Sequence, residues 1–196
     1  MTQQSDRRAA SRRKVLEAAA ELFRSQGVEA TSMDDIAAAA GVARGTLYYN
    51  FAGKDELVAS LALVGHLALQ ERVQPRVGRV PAPRLLAEAL RELAAWTEEN
   101  PHLARAAYTL ALTQGLRGEP GPAGRPSFRR LLAEVIAAGQ EAGELRADVE
   151  AYDLAVALTL IVVGETLTWL AAPRPPGLKT RTRRCLDLFL KGALPR

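Results

Sequence analysis

The stretch from Ser32 to Phe51, SMDDIAAAAGVARGTLYYNF, constrains this chain more than any other. Two short helices can cross closely only where the contact residue is small, and Ala37 meets that need. The turn after it calls for a residue at ease with positive φ, and Gly41 stands four residues on. Ser32 ahead of Met33, Asp34 and Asp35 is an N-cap signal with acids in the first helical turn. Ile36, Ala40, Val42, Leu47 and Phe51 fall where the inward anchors of a helix-turn-helix belong. With Leu47 pointing in, helical geometry turns Gly45 and Tyr49 outward and sets Thr46 and Tyr48 on the flanks.

A solvent face built of Gly, Thr and two Tyr makes sense against duplex DNA. Gly45 lets backbone come close to the duplex, and Arg44 and Thr46 can meet base edges. The phenols of Tyr48 and Tyr49 can donate to phosphate while their rings pack on sugar or a thymine methyl. Lys54 opens the next helix, well placed for phosphate. The plainer alternative is a structural hairpin with two half-buried tyrosines. It leaves the agreement of small residue, glycine turn and inward anchors without a purpose.

The remainder of the chain points to an all-α protein. Of its 196 residues, 36 are Ala and 29 are Leu, both strong helix formers, and aromatics are only 5%. Val15, Leu16, Ala19, Leu22 and Phe23 give one face of a first helix over about 8–26, closed by Gly27. Longer helices are expected at about 54–77, 83–99, 102–116, 127–142, 151–171 and 177–192, with Pro and Gly at the breaks. The change from short to long helices sets the expected boundary: 1–53 as one domain and 54–196 as the other.

Charge is unevenly spread. Residues 1–54 carry +2, 55–173 carry −4 and 174–196 carry +6, and Met1 to Lys14 alone hold +4. A basic arm ahead of the first helix suits phosphate contact. In the C-terminal segment the basic residues alternate with Leu178, Cys185, Leu186, Leu188, Phe189 and Leu190, so it is expected to be an amphipathic helix rather than a nucleic-acid tail. The apolar run from Leu154 to Ala172 holds Glu165 and three threonines, which favours a buried or interface helix over a membrane span. A lone Cys185 excludes an internal disulfide, and no signal peptide is read at the N-terminus, so a cytoplasmic protein is expected. His66, His102 and Cys185 lack metal-ligand spacing, and neither a phosphate loop nor a nucleophile elbow is present. No enzyme and no cofactor is expected.

From Arg12 to Leu57 the chain resembles the DNA-binding domain of the TetR family of one-component bacterial regulators. The matching features are Phe23-x-x-x-Gly27, Thr31-Ser-Met-Asp-Asp-Ile-Ala37, Ala40-Gly-Val42, Gly45-Thr-Leu-Tyr-Tyr49, Phe51 and Lys54-Asp-Glu-Leu57. Further on, Gly139-Gln-x-x-Gly143-Glu-Leu145 is similar to a turn often found before the last two family helices. By this resemblance residues 43–50 form the recognition helix. Arg44, Thr46 and Tyr48 would meet bases or nearby backbone, while Tyr49, Thr31 or Ser32, and Lys54 would hold phosphates. Two departures stand out: Ala43 where Ser is frequent, which removes a helix cap, and Asn50 where His is frequent, which leaves Asn50 as a substitute contact.

The resemblance also implies a homodimer reading a palindromic operator in double-stranded DNA, with half-sites about 10 bp apart. The helices at about 151–171 and 177–192 would form the dimer interface, since Leu154 to Val163 is apolar nearly all round. A small-molecule effector would sit among helices four to eight. His66, Trp96, Tyr108, Thr109, Gln114, Glu165, Thr166 and Trp169 are its candidate contacts. Repression, relieved by an apolar or amphipathic ligand, is what the resemblance implies. The competing class is a helical module for a small molecule or protein partner with weakened DNA binding, and Ala43 and Asn50 speak for it.

Overall fold

A computed structural model describes residues 2–116, 127–172 and 175–193. Among them lie nine α-helices and one 3-10 turn, with no strand: α1 (Thr2–Gln26), α2 (Met33–Ala40), α3 (Arg44–Asn50), α4 (Lys54–Val73), α5 (Ala82–Glu99), α6 (Pro101–Leu116), α7 (Phe128–Glu141), α8 (Ala151–Ala171) and α9 (Leu178–Ala193). The expected all-α fold is therefore the observed one, and most helix ends fall within a residue or two of the sequence pattern. Two ends differ for clear reasons. α4 stops at Val73, not 77, because Pro75 cannot continue an α-helix, and Gln74–Arg76 tighten into the 3-10 turn. α1 starts at Thr2, so the basic residues from Arg7 to Lys14 belong to its early turns rather than to an arm ahead of it.

The chain divides into two compact units. The first holds α1 to α3, α4 as far as Val64, and α6; the second holds α4 from Gly65, α5 and α7 to α9. In the first unit α1 packs on α2, α3 and α6, and α2 packs on α3. Val15, Ala19 and Phe23 of α1, with Ile36, Leu47, Phe51 and Leu57, are its buried apolar residues, all with almost no exposure. Ala40 and Val42, expected as anchors, are only partly buried.

In the second unit α7 packs on α5 and α8, and α9 on α5 and α8. α5 buries Leu85, Leu86, Ala89, Leu90 and Leu93, a three-and-four spacing that makes one continuous face. α8 buries Ala155, Leu158, Val162, Thr166 and Leu170 but leaves Tyr152, Leu160 and Ile161 exposed. By length and composition alone this helix could cross a membrane; here one face of it belongs to the core of the unit.

The motif Gly139 to Leu145 ties this unit together, residue by residue. Gly143 takes the left-handed conformation (φ 72°) that ends the helix. The backbone N–H groups of Glu144 and Leu145 donate back to the Gly139 carbonyl at 2.8 and 3.1 Å. Gln140 Nε2 donates to the carbonyls of Arg146 and Val149, holding the path toward α8. The Glu144 carboxylate accepts from Ala82 N–H at 2.6 Å, an anion at the start of α5. Leu145 is buried. At Gly139 α7 packs tightly on α5: a Cβ there would stand 2.5 Å from Ala82 Cβ, which cannot swing away.

Gly139→Ala is therefore expected to destabilise the protein by about 1–3 kcal/mol, the usual cost of overpacking. Urea unfolding followed by circular dichroism measures it.

Candidate nucleic-acid interface

α3 has only seven residues, too few to be stable by itself. Its surroundings hold it. On the N-terminal side α2 ends in a Schellman turn: Val42 N–H donates to Ala37 O and Gly41 N–H to Ala38 O, each at 3.1 Å, with Gly41 at φ 63°. Underneath, Leu47 and Phe51 are fully buried. At the C-terminal end Arg12 reaches across from α1. Its Nη1 donates to the Asn50 carbonyl at 2.9 Å, its Nη2 to Ser60 Oγ at 3.2 Å, and its guanidinium lies 4.1 Å from the centre of the Phe51 ring. A cation at the last carbonyls of a helix is favourable. Nothing in the local sequence around α3 announces Arg12, because the contact spans 38 residues.

The opposite face is open. Tyr49 is 71% exposed and Tyr48 45%, Thr46 is partly exposed, and a Cβ built on Gly45 would meet nothing within 4 Å. Arg8 of α1 lies over the Tyr49 ring at 5.0 Å. Arg44 lies near the Tyr48 ring, and its Nε is 2.9 Å from Asp34 of α2. The Asp34 contact also escapes the sequence pattern; it holds Arg44 against α2, and a base edge would have to compete for that guanidinium. Ala43 is the N-cap of α3 and makes no side-chain cap, as its methyl group requires.

Other expected contacts have structural duties. Asn50 is only 7% exposed, and its Nδ2 donates to Thr46 O, which makes it a strut inside the last turn of α3. Thr31 is 1% exposed; its hydroxyl donates to Gly27 O at 2.7 Å and accepts from Gln26, which removes it from the surface as well. Ser32 is exposed and caps α2: its Oγ accepts from Asp35 N–H while Asp35 Oδ2 accepts from both Ser32 N–H and Ser32 Oγ–H. The Lys54 ammonium donates to Val28 O and Glu29 O and remains partly exposed.

The residues expected around an effector are spread over both units. His66 on α4 is partly buried and stacks on Phe128 of α7 at 6.3 Å; loss of water around the ring pushes its pKa down. Trp96 on α5 lies against α4 where Gly65 makes room, 3.1 Å from the place a Cβ would take. Glu165 on α8 pairs with Arg181 of α9, so its carboxylate is answered within the same chain. Thr166 is buried, donating to Val162 O, and Trp169 is partly buried. Tyr108 is partly buried and Thr109 exposed, both on α6 in the first unit. Gln114 lies on the same helix, with its side chain outside the described residues.

This geometry is a helix-turn-helix: a short helix pinned from behind, with a glycine, an arginine and two tyrosines facing out. Comparison with known proteins narrows the class. Residues 15–61 match the bacterial regulatory proteins of the tetR family. The chain is similar to the HTH-type transcriptional regulator AcrR of Shigella flexneri, 43% identical over 51 residues, or 26% of this chain and 24% of that protein. It is similar to the HTH-type transcriptional repressor KstR2 of Mycobacterium tuberculosis, 46% identical over 50 residues, 26% of this chain and 25% of that one. The matched stretch thus spans about a quarter of these relatives. Over nearly the whole chain, the structure is similar to that of Thermus thermophilus FadR, a TetR family transcriptional repressor solved with lauroyl-CoA, with TM-score 0.75, 25% identity, and 94% and 96% of the two chains covered. These matches support a regulator of the TetR kind, with the family model itself covering residues 15–61.

Two predictions follow from the way α3 is held. Arg12→Gln should weaken binding to duplex DNA yet leave the slope of log K against log salt unchanged, since a phosphate contact would contribute about 0.9 to that slope. Fluorescence anisotropy across a salt series separates the two roles. At the other helix, the Ser32 hydroxyl and then its N–H hold the Asp35 carboxyl below the ordinary carboxylate range. A depressed carboxyl stabilises the fold above its unfolded pKa of about 3.9, and that stabilisation is lost as pH falls through the lower folded value. The wild type should therefore lose more stability than Asp35→Asn as pH drops below about 4, as followed by thermal melts.

Proposed function

We propose that this protein is a ligand-responsive repressor of transcription that binds a palindromic operator as a homodimer. The observation that carries the reading is the contrast across α3: Leu47 and Phe51 are fully buried while Gly45, Tyr48 and Tyr49 stand open. Arg44, Gly45, Thr46, Tyr48 and Tyr49 are the direct DNA contacts in this reading, with Ser32 and Lys54 beside phosphates. Residues 1–53 supply the DNA-binding domain and 54–196 the effector-binding and dimerisation domain. The work is done in the cytoplasm, without catalysis.

One recognition helix of this length is too little for tight specific binding, so two are needed. The apolar residues left open on α8 and α9 support the dimer: Leu160 is 60% and Leu188 69% exposed, with Tyr152 and Ile161 also uncovered. A second copy of the same face would bury them. On this account α8 is an interface helix, not a membrane span.

The effector is an apolar or amphipathic small molecule, a class to which the lauroyl-CoA held by the FadR relative belongs. His66, Trp96 and Trp169 are the contacts we favour for it. Ligand and operator select different spacings of the two recognition helices, a population shift typically worth about 1–3 kcal/mol. α4 is the coupler, because this single helix contributes residues to both units.

Selection from random duplex DNA at about 150 mM salt, where non-specific binding is already weak, should enrich a palindrome. A folded protein that enriches no sequence contradicts the reading. Sedimentation should show a dimer at micromolar concentration, and Leu160→Glu with Leu188→Glu should give a monomer that no longer retains the selected duplex.

A further inference from the structure

The strongly basic C-terminal segment plays no part in the DNA face described above. On α9 it places Lys179, Arg183 and Arg184 beside a groove whose other wall is α5. Two adjoining depressions lie along that groove, with volumes of about 630 and 340 Å³, and they share Ala87, Arg91, Arg183 and Leu186. The two halves differ in charge. The smaller one is walled by Arg91, Lys179, Arg183 and Arg184 and has no acid in its lining, although Lys179 pairs with Glu98 just outside it. The larger one includes Glu88 and Asp187, but both are already engaged: Glu88 with Arg76 and Arg84, Asp187 with Arg183. Arg91 and Arg184 have no ion-pair partner among the described residues. Between the cations the floor is apolar, from Ala87, Leu186 and Leu190.

We propose that this groove binds a small amphiphilic anion, with its carboxylate, sulfate or phosphate head in the smaller half and its apolar tail along the larger half. Arg91 and Arg184, the cations without an ion pair among the described residues, both line the smaller half, and the other arginines of the larger half are matched by Glu88 and Asp187, so the pattern favours one anionic head over a run of them. The larger volume also lies in the range of small-molecule pockets, and the apolar strip of Ala87, Leu186 and Leu190 between its paired charges gives a tail a surface to lie on. Arginine and lysine at that end suit an oxyanion through charge-assisted hydrogen bonds. None of the residues named for the effector lines this groove, so this site and the proposed effector site stand or fall separately.

Decyl phosphate, kept below its micelle concentration, is the probe, titrated calorimetrically into the full-length protein. One molecule per chain is expected at the groove, with decanol and inorganic phosphate each binding about tenfold or more weakly for want of head or tail. Arg91→Glu should weaken decyl phosphate by a similar factor with no change in melting temperature, and Ala87→Trp should do so by filling the floor. Trp169→Ala, away from the groove, should leave this binding intact. The proposal is overturned if Arg91→Glu and Ala87→Trp both bind as the wild type does, if decyltrimethylammonium binds equally well, or if an acidic decapeptide binds more tightly than decyl phosphate.

Discussion

A seven-residue helix cannot hold its own shape in water, and the face proposed to meet DNA depends on how that shape is imposed. Burial of Leu47 and Phe51 fixes the rotation of α3 about its axis. The left-handed Gly41 and its Schellman hydrogen bonds fix the angle at which α3 leaves α2. Arg12, donating to the Asn50 carbonyl and lying over Phe51, fixes the far end. Once these three are set, the outward direction of Gly45, Tyr48 and Tyr49 follows without further interactions. A side chain that performs no DNA contact can thus decide how well the contacts are presented.

The second unit solves a different problem, the joining of long helices whose apolar faces must meet. Its core runs from Leu85 and Leu90 of α5 through Leu132 and Ile136 of α7 to Leu158 and Val162 of α8 and Leu186 of α9. The turn after α7 does the local work, since the Glu144 carboxylate finishes α5 while Gly139 lets α5 approach α7. α8 buries one face within the unit and keeps Leu160 and Ile161 outside it. That surplus of apolar surface is the physical basis of the homodimer proposed above.

The fold was largely legible in the sequence because its signals are local. Ser32, Gly41 and Gly143 each act on their own turn, and the apolar spacing on α5 and α9 names the buried face directly. The inward and outward sides of α3 could be read for the same reason. Asn50 and Thr31 could not, because a polar residue type does not disclose burial; Asn50 turns back on Thr46 O and Thr31 on Gly27 O, inside the unit. Arg12 and Asp34 went unseen because their partners, Asn50 and Arg44, are distant in sequence. The sequence sets Glu165 within an apolar run, but only tertiary structure identifies Arg181 as its partner.

If the outer face of α3 meets DNA at close range, Gly45 is the position where added bulk must matter. Its surroundings are empty, so Gly45→Leu can be accommodated without disturbing any neighbour, and a leucine also favours the helix. Gly45→Leu should show an unchanged or slightly raised melting temperature together with a loss of about tenfold or more in affinity for the selected duplex, as the side chain holds the backbone away from the bases. A Gly45→Leu protein that binds that duplex as tightly as the wild type would contradict that close approach.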